Sequence, residues 1–288
     1  MKRASLLIAL SIFVARTSAA EGSGGTTITD ALPPGAEPAR KVGYWASGET
    51  RAFVSGILDF GYLYLRPRLS AGFGKPHYRW VGVDVNAIVN DNGYGAYGGI
   101  RGAMPLFDIR FGARPFASFR HTPLQPRGSY DVLDLNTKIG TPTRVVTFEG
   151  ELSGSLPLGP GSILTVLGGS HVVGAPDGAY IYEETLHVIV APPWIWRTRL
   201  GYALKLGAEG NASAGLVAEM LYLPGRHDYV IRAGFIGTFV ISDHLEALIS
   251  LVPPIKSPDS LGAAGGDFGQ LGIRYRFATG EPSTPSPL

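Results

Sequence analysis

Charged side chains in this chain come in spaced pairs. Arg66 and Arg68, Glu149 and Glu151, Arg197 and Arg199, and Arg274 and Arg276 are each two residues apart, Arg110 and Arg114 are four apart, and Arg232 stands alone between apolar neighbours. An even spacing puts both members of a pair on one face of an extended strand. Rows of guanidinium and carboxylate on facing strands can serve two ends. Inside a wall they neutralise one another, as buried charges must. Around a water-filled passage, an excess of one sign focuses the potential and favours solutes of the opposite sign.

Other chemistry is harder to assemble. A serine hydrolase site needs a nucleophile, a base and an orienting group close together. His171 and His187 read as inward residues of neighbouring strands with Glu183 and Thr185 nearby, but no inward serine completes the set. The two imidazoles and Glu183 sketch a metal site at a spacing that matches no metal motif. The stretch Gly150-Glu151-Leu152-Ser153-Gly154 departs from the Gly-x-Ser-x-Gly elbow, and nucleotide and nucleic-acid motifs are absent. The expectation is therefore no catalytic residue, no metal, no cofactor and no nucleic-acid partner.

Strands must position these rows. Alternation of apolar and polar residues predicts twelve, near 60–73, 77–89, 94–104, 108–120, 144–156, 162–173, 180–191, 194–206, 212–223, 228–241, 245–252 and 267–278, separated by turn signals such as Gly159-Pro160-Gly161 and Pro224-Gly225. About eighteen residues per strand and connection suits membrane-crossing strands of roughly ten residues joined by short turns. Val81, Val83 and Val85 oppose Asp84 and Asn86; Ile109, Phe111 and Ala113 oppose Arg110 and Arg114; Trp194, Trp196 and Leu200 oppose Arg197 and Arg199. On this reading the inward basic residues are the nine arginines named above together with Arg101, Arg120 and Lys205. The inward acids are Asp84, Glu149, Glu151, Glu183, Glu219 and Glu246, which predicts a net basic interior.

The start of the chain reads as an export signal. Met1-Lys2-Arg3 is positive, Leu6 to Ala15 is apolar, and Ser18-Ala19-Ala20 is a small-residue cleavage site, so residues 1–20 are expected to be a signal peptide. About ten apolar residues fall short of the roughly twenty a helix needs to span a bilayer. No run of eighteen consecutive apolar residues occurs elsewhere, although 45% of the chain is hydrophobic, so helical spans are excluded. There is no cysteine, so an exported chain of 288 residues must hold itself together by other means, as a closed hydrogen-bonded sheet does. Residues 21–40 read as a flexible leader, 41–279 as one barrel domain and 280–288 as a disordered tail. Within the domain, strands are expected from about 60, with 41–59 forming an extra strand or a short helix.

The closing segment carries a resemblance. Gln270, Gly272, Tyr275 and Phe277 have the spacing of the C-terminal assembly signal of bacterial outer-membrane β-barrel proteins, although eleven residues follow Phe277. The resemblance implies an all-β fold, an antiparallel transmembrane β-barrel of about twelve strands (10–14), in the outer membrane of a Gram-negative bacterium. It implies outer-membrane lipid and the barrel-assembly machinery as partners. Trp194, Tyr222, Tyr229 and Phe277 cap apolar faces as membrane-interface aromatics do. The role expected of such a barrel is a small channel for anionic or polar solutes, or a structural wall carrying functional loops. The alternatives are a phospholipase-like barrel enzyme and a soluble exported barrel that binds an apolar ligand. One conflict stands: a first strand at 60 puts the long connection 121–143 on the side of the termini, where turns are short. A further strand at Arg51 to Leu58, or one hidden near Tyr130 to Leu135, would remove it; Gly48 to Asp59 could instead be a short helix plugging the lumen.

Overall fold

Alternation that persists over eleven or more residues in successive segments builds a sheet with two distinct faces. The computed structural model describes residues 44–61, 65–89, 92–119, 121–135, 141–207 and 211–280; the expected signal peptide, the leader 21–40, Arg120 and the tail from 281 lie outside them. In chain order the strands are β1 (Arg51–Gly61), β2 (Leu65–Lys75), β3 (Arg79–Val89), β4 (Gly93–Ala103), β5 (Phe107–Ser118), β6 (Arg144–Leu158), β7 (Gly161–Val173), β8 (Ile181–Glu183), β9 (Val188–Val190), β10 (Trp194–Leu206), β11 (Ala212–Leu223), β12 (Asp228–Val240), β13 (Leu245–Val252), β14 (Pro254–Lys256) and β15 (Asp267–Ala278). Twelve of them form a closed antiparallel barrel, completed by the β1–β15 and β11–β12 pairings. β8 and β9 form a separate hairpin, and β14 lies against β12.

The apolar faces point outward. Val81, Ile100, Leu216 and Phe73 are each 59% or more exposed, and the same face continues from strand to strand around the wall. Such a belt distinguishes this barrel from a soluble one, whose apolar residues turn inward. Among the described residues no helix is long and apolar enough to cross a membrane. Exposed aromatics gather at both rims: Phe60, Tyr94, Phe119, Trp194 and Tyr222 at the end away from the termini, and Phe73, Phe107, Phe239 and Phe277 at the end near them.

Two expected strands are corrected. The segment 60–73 is divided between the end of β1 and most of β2, so Arg51–Gly61 is a wall strand. With β1 in place, the connection 119–143 moves to the end away from the termini, together with 174–193 and 253–266. The segment 180–191 is not part of the wall: it is the β8–β9 hairpin, packed inside the barrel. It imitated a wall strand because both its faces are buried. Ile181, Val188 and Val190 meet the wall, whereas Tyr182 and Ile189 meet the loops above.

The inner face is also less polar than the alternation suggested. Leu164, Ala203, Val217, Ile236, Leu248 and Val252 form one buried apolar cluster, and Val145, Val172, Ile195, Leu221, Leu223 and Val230 surround the hairpin. At the end near the termini, Phe53, Trp80 and Ala103 make another. There Trp45, from a helical turn at 44–47, donates to the Asp243 carbonyl (3.2 Å) and meets the His77 ring edge-on at 4.5 Å.

Closure depends on the seam between β1 and β15. Gly56 lies opposite Phe277, whose ring covers it so closely that a Cβ at position 56 would stand 2.2 Å from the ring Cζ. His77 and His244 donate ring N–H groups to the carbonyls of Phe277 (3.0 Å) and Arg276 (2.9 Å), gripping the final strand from its flank. Thr279 continues the ladder past the motif, bonding Val54 in both directions. We expect Gly56→Val to lower the fraction of heat-modifiable, folded barrel sharply. Gly98→Ala, where the added Cβ meets nothing nearer than 3.8 Å, is expected to assemble normally. Gel mobility before and after heating checks both.

Candidate functional site

The charged rows converge inside the wall. Asp59 of β1, fully buried, accepts from Arg66 (2.9 Å), Arg68 (3.5 Å) and Arg274 (2.6 Å). Glu246 of β13 joins Arg276 (2.9 Å) and Arg274 (3.5 Å), so β1, β2, β13 and β15 share one cluster across the closing seam. Arg101 links Asp108 (2.9 Å) with Asp84 (3.7 Å) across β3, β4 and β5. Arg110 meets Glu151 (3.3 Å) and Arg114 meets Glu149 (3.0 Å), tying β5 to β6. Glu219 of β11 is a second hub. It takes Arg197 (2.8 Å), Arg199 and Arg232 (2.9 Å), while Arg197 also reaches Glu151 (3.1 Å) and Arg199 also reaches Asp267 (3.2 Å).

Of the residues expected to face a lumen, Arg66, Arg68, Arg110, Arg114, Glu149, Arg197, Arg199, Arg232, Arg274 and Arg276 are buried inside the wall, and the side chain of Glu151 is only 9% exposed. The expected excess of positive charge is corrected. Asp59, Asp108 and Asp267 join the interior and Lys205 lies exposed, leaving ten arginines against nine carboxylates among the described residues of the network. Asp59 was legible in principle, since it alternates with Leu58 and Phe60 as the inward residue; starting the first strand at 60 hid it. Of the closing motif, Tyr275 (46%) and Phe277 (43%) are exposed on the outer face, Gly272 pairs with Gly61 of β1, and Gln270 is placed here only by its backbone register with Ser250.

The hairpin is bound into this network. Glu183 at the end of β8 accepts from Arg114 (2.8 Å), the Thr185 hydroxyl (2.8 Å) and the Leu186 N–H (2.7 Å). Arg232 donates to the carbonyls of Leu186 (2.6 Å) and His187 (2.9 Å), and His187 donates to the Gly266 carbonyl (2.8 Å). Glu184 pairs with His121. A cavity of about 10 Å³ remains among Arg110, Glu149, Arg197 and Leu186, at the threshold for a single water.

Above the hairpin, Arg226 in the β11–β12 turn holds three loops together. It pairs with Asp259 (2.5 Å), donates to the carbonyls of Ile189 (3.1 Å) and Gly128 (3.2 Å), and lies over the rings of Tyr130 and Tyr180, each 5.5 Å away. Nothing in the local pattern around Pro224-Gly225 marked it. Its partners lie 98 and 37 residues earlier and 33 residues later in the chain.

The histidine pair does not form. His171 is on the outer face of β7 with its ring 4.5 Å from Trp194, while His187 is on the hairpin inside the barrel. Among the described residues no group of three histidine, aspartate or glutamate side chains could hold a metal.

No protein-family profile matches the chain, and no curated protein matches it. Among solved structures it is similar to the outer membrane protein OmpT of Vibrio cholerae. The form lacking loop L8 has a TM-score of 0.32 and 9% identity, covering 80% of this chain and 98% of that one. The in-vitro folded trimer form has a TM-score of 0.28, again with 9% identity and the same coverage. The transmembrane assignment rests on the wall itself, a closed barrel with an outward apolar belt and aromatic rims.

Two measurements test the network. Asp59→Asn leaves three arginines facing a neutral amide, and removing one side of a buried ion pair costs about 3–5 kcal/mol. We expect a correspondingly lower denaturant midpoint for the variant in detergent. Glu183 is on the hairpin and not on a wall strand. Burial pushes its carboxyl up, but Arg114, helped by the hydrogen bonds from Leu186 and Thr185, holds it below the usual carboxylate range. Ionised Glu183 therefore stabilises the seated hairpin above the ordinary carboxylate range, and that stabilisation is lost as pH falls through its depressed value. Proteolysis at 174–193 is expected to rise on acidification, and Glu183→Gln is expected to show the raised cleavage already at neutral pH.

Proposed function

We propose that this chain is a sealed outer-membrane barrel whose wall carries an ordered cap of loops, rather than an open channel for solutes. The observation that carries this reading is the β8–β9 hairpin inside the lumen. It is fastened to β5 through Glu183–Arg114 and to β12 through Arg232, and is packed on apolar side chains of β6, β7, β10, β11 and β12. Each buried Ile, Leu or Val of the hairpin contributes about 1.5–3 kcal/mol relative to exposure, so expelling it to open a path is unfavourable.

The near balance of arginines and carboxylates weakens the anion-channel reading as well. A passage selects by net charge, and here almost every charge is committed to a partner in the wall. The phospholipase-like alternative loses the pair of histidines on which it stood, since His171 and His187 are on opposite sides of the wall. What remains available to the exterior is the cap formed, among the described residues, by 121–135, 141–143, 174–193 and 253–266. By the usual asymmetry of such barrels, long loops face outside the cell and short turns face the periplasm.

Planar-bilayer recording tests the seal. The intact protein is expected to give no sustained single-channel steps, and replacing residues 177–190 by a short Gly/Ser linker is expected to produce them. Sustained conductance by the intact protein at neutral pH would overturn the reading.

A further inference from the structure

The outer surface of the wall is not uniformly convex. Between β4 and β10, centred on β6 and β7, is an open apolar groove of about 1000 Å³. Its floor is made of small residues that meet across the strands: Gly98 pairs with Ala113, and Gly150 pairs with Gly169. Its sides are aromatic. Phe111 lies opposite Gly150 and Trp196 opposite Gly169, and each ring leans so far over its glycine that a Cβ there would meet it at 2.8 or 2.7 Å. A second apolar depression, about 460 Å³, continues toward the loop end and reaches Arg144 at the start of β6.

Two ionisable side chains on this track, His171 and Arg144, take no part in the charged network of the inner wall. His171 lines the groove, and its ring nitrogens have no hydrogen-bond partner among the described residues. An ionisable group on the lipid-facing side of a membrane wall is costly and commonly marks a site. Arg144 is exposed at the rim, opposite Ala117, and makes no ion pair among the described residues. Four residues along β6, Phe148 pairs with His171. Arg144 is therefore at the level of the headgroups, and the groove below it is at the level of the acyl chains. The apolar belt with which the groove is continuous is the bilayer interface.

We propose that this groove is a binding site for one phosphorylated, multiply acylated glycolipid of the lipid A type. Its acyl chains lie in the groove between the Phe111 and Trp196 rings, and its phosphate is met by Arg144 with His171 beneath. The outer leaflet follows from the loop end facing the exterior, which is where Arg144 stands. The site does not depend on whether the lumen conducts, so it stands or falls apart from the sealed-barrel reading.

The experiment is native mass spectrometry of the full-length barrel in non-ionic detergent, titrated with lipid A, with dephosphorylated lipid A and with phosphatidylglycerol. Lipid A is expected to bind one per barrel and more tightly than the other two. Gly98→Leu, whose Cβ meets nothing nearer than 3.8 Å, is expected to weaken it about tenfold. Arg144→Gln, at the exposed rim, is expected to weaken lipid A by about fivefold, the worth of one cation near an anionic surface, and to leave the dephosphorylated form unchanged. Heat-modifiable mobility shows that each variant is folded. Equal binding of all three lipids, or unchanged lipid A affinity in both folded variants, would overturn the proposal, as would preference for phosphatidylglycerol.

Discussion

A guanidinium facing the inside of a wall whose other side is in lipid must be neutralised from within. That constraint organises this barrel. Asp59 and Glu219 each serve three arginines, and the strands that supply those arginines are held in register by the same contacts. In a low-dielectric interior, removing one partner costs more than the pair contributes. The network therefore tolerates neither a missing carboxylate nor a strand in the wrong place. It also crosses the β1–β15 seam through Asp59 and Arg274, so the first and last strands are joined by charge as well as by the ladder.

The hairpin extends the same logic to the lumen. Arg114 has two carboxylates to satisfy, Glu149 on the wall and Glu183 on the hairpin, and it reaches both. The loop between β7 and β10 is thereby drawn inward. Once there, its apolar residues complete a core with inward Val145, Val172, Ile195 and Leu221, which would otherwise line an empty space. Charge at mid-height and apolar packing at the loop end thus favour the same closed state. Arg226 extends that ordering into the cap by joining loops that meet only when the barrel is closed.

The outer face follows different physics. Lipid takes up irregular surface readily, so the wall can combine exposed aromatics with glycines and still be covered. At the seam, Phe277 fills the gap left by Gly56; on the far side, Phe111 and Trp196 lean over Gly150 and Gly169 and leave a groove between them. The same pairing of aromatic and glycine closes the wall in one place and shapes a surface in the other.

Much of this was legible in the residues. Period-two alternation over long segments marked the strands and put the paired arginines on the face opposite the apolar residues, because side-chain direction in a strand depends only on position along it; which face meets lipid took the closed wall to decide. Local pattern could not determine which segment joins the wall. Ile181 to Val190 alternates as a strand should, yet it lies inside, because a segment buried on both faces looks the same whether its neighbours are lipid and lumen or wall and cap. Nor could it place Asp59, Asp108 and Asp267 beside their arginines, find Arg226 among partners distant in the chain, or put His171 on the outer face. Those outcomes depend on register and closure, which bring together residues up to 228 positions apart, and only the folded barrel decides them.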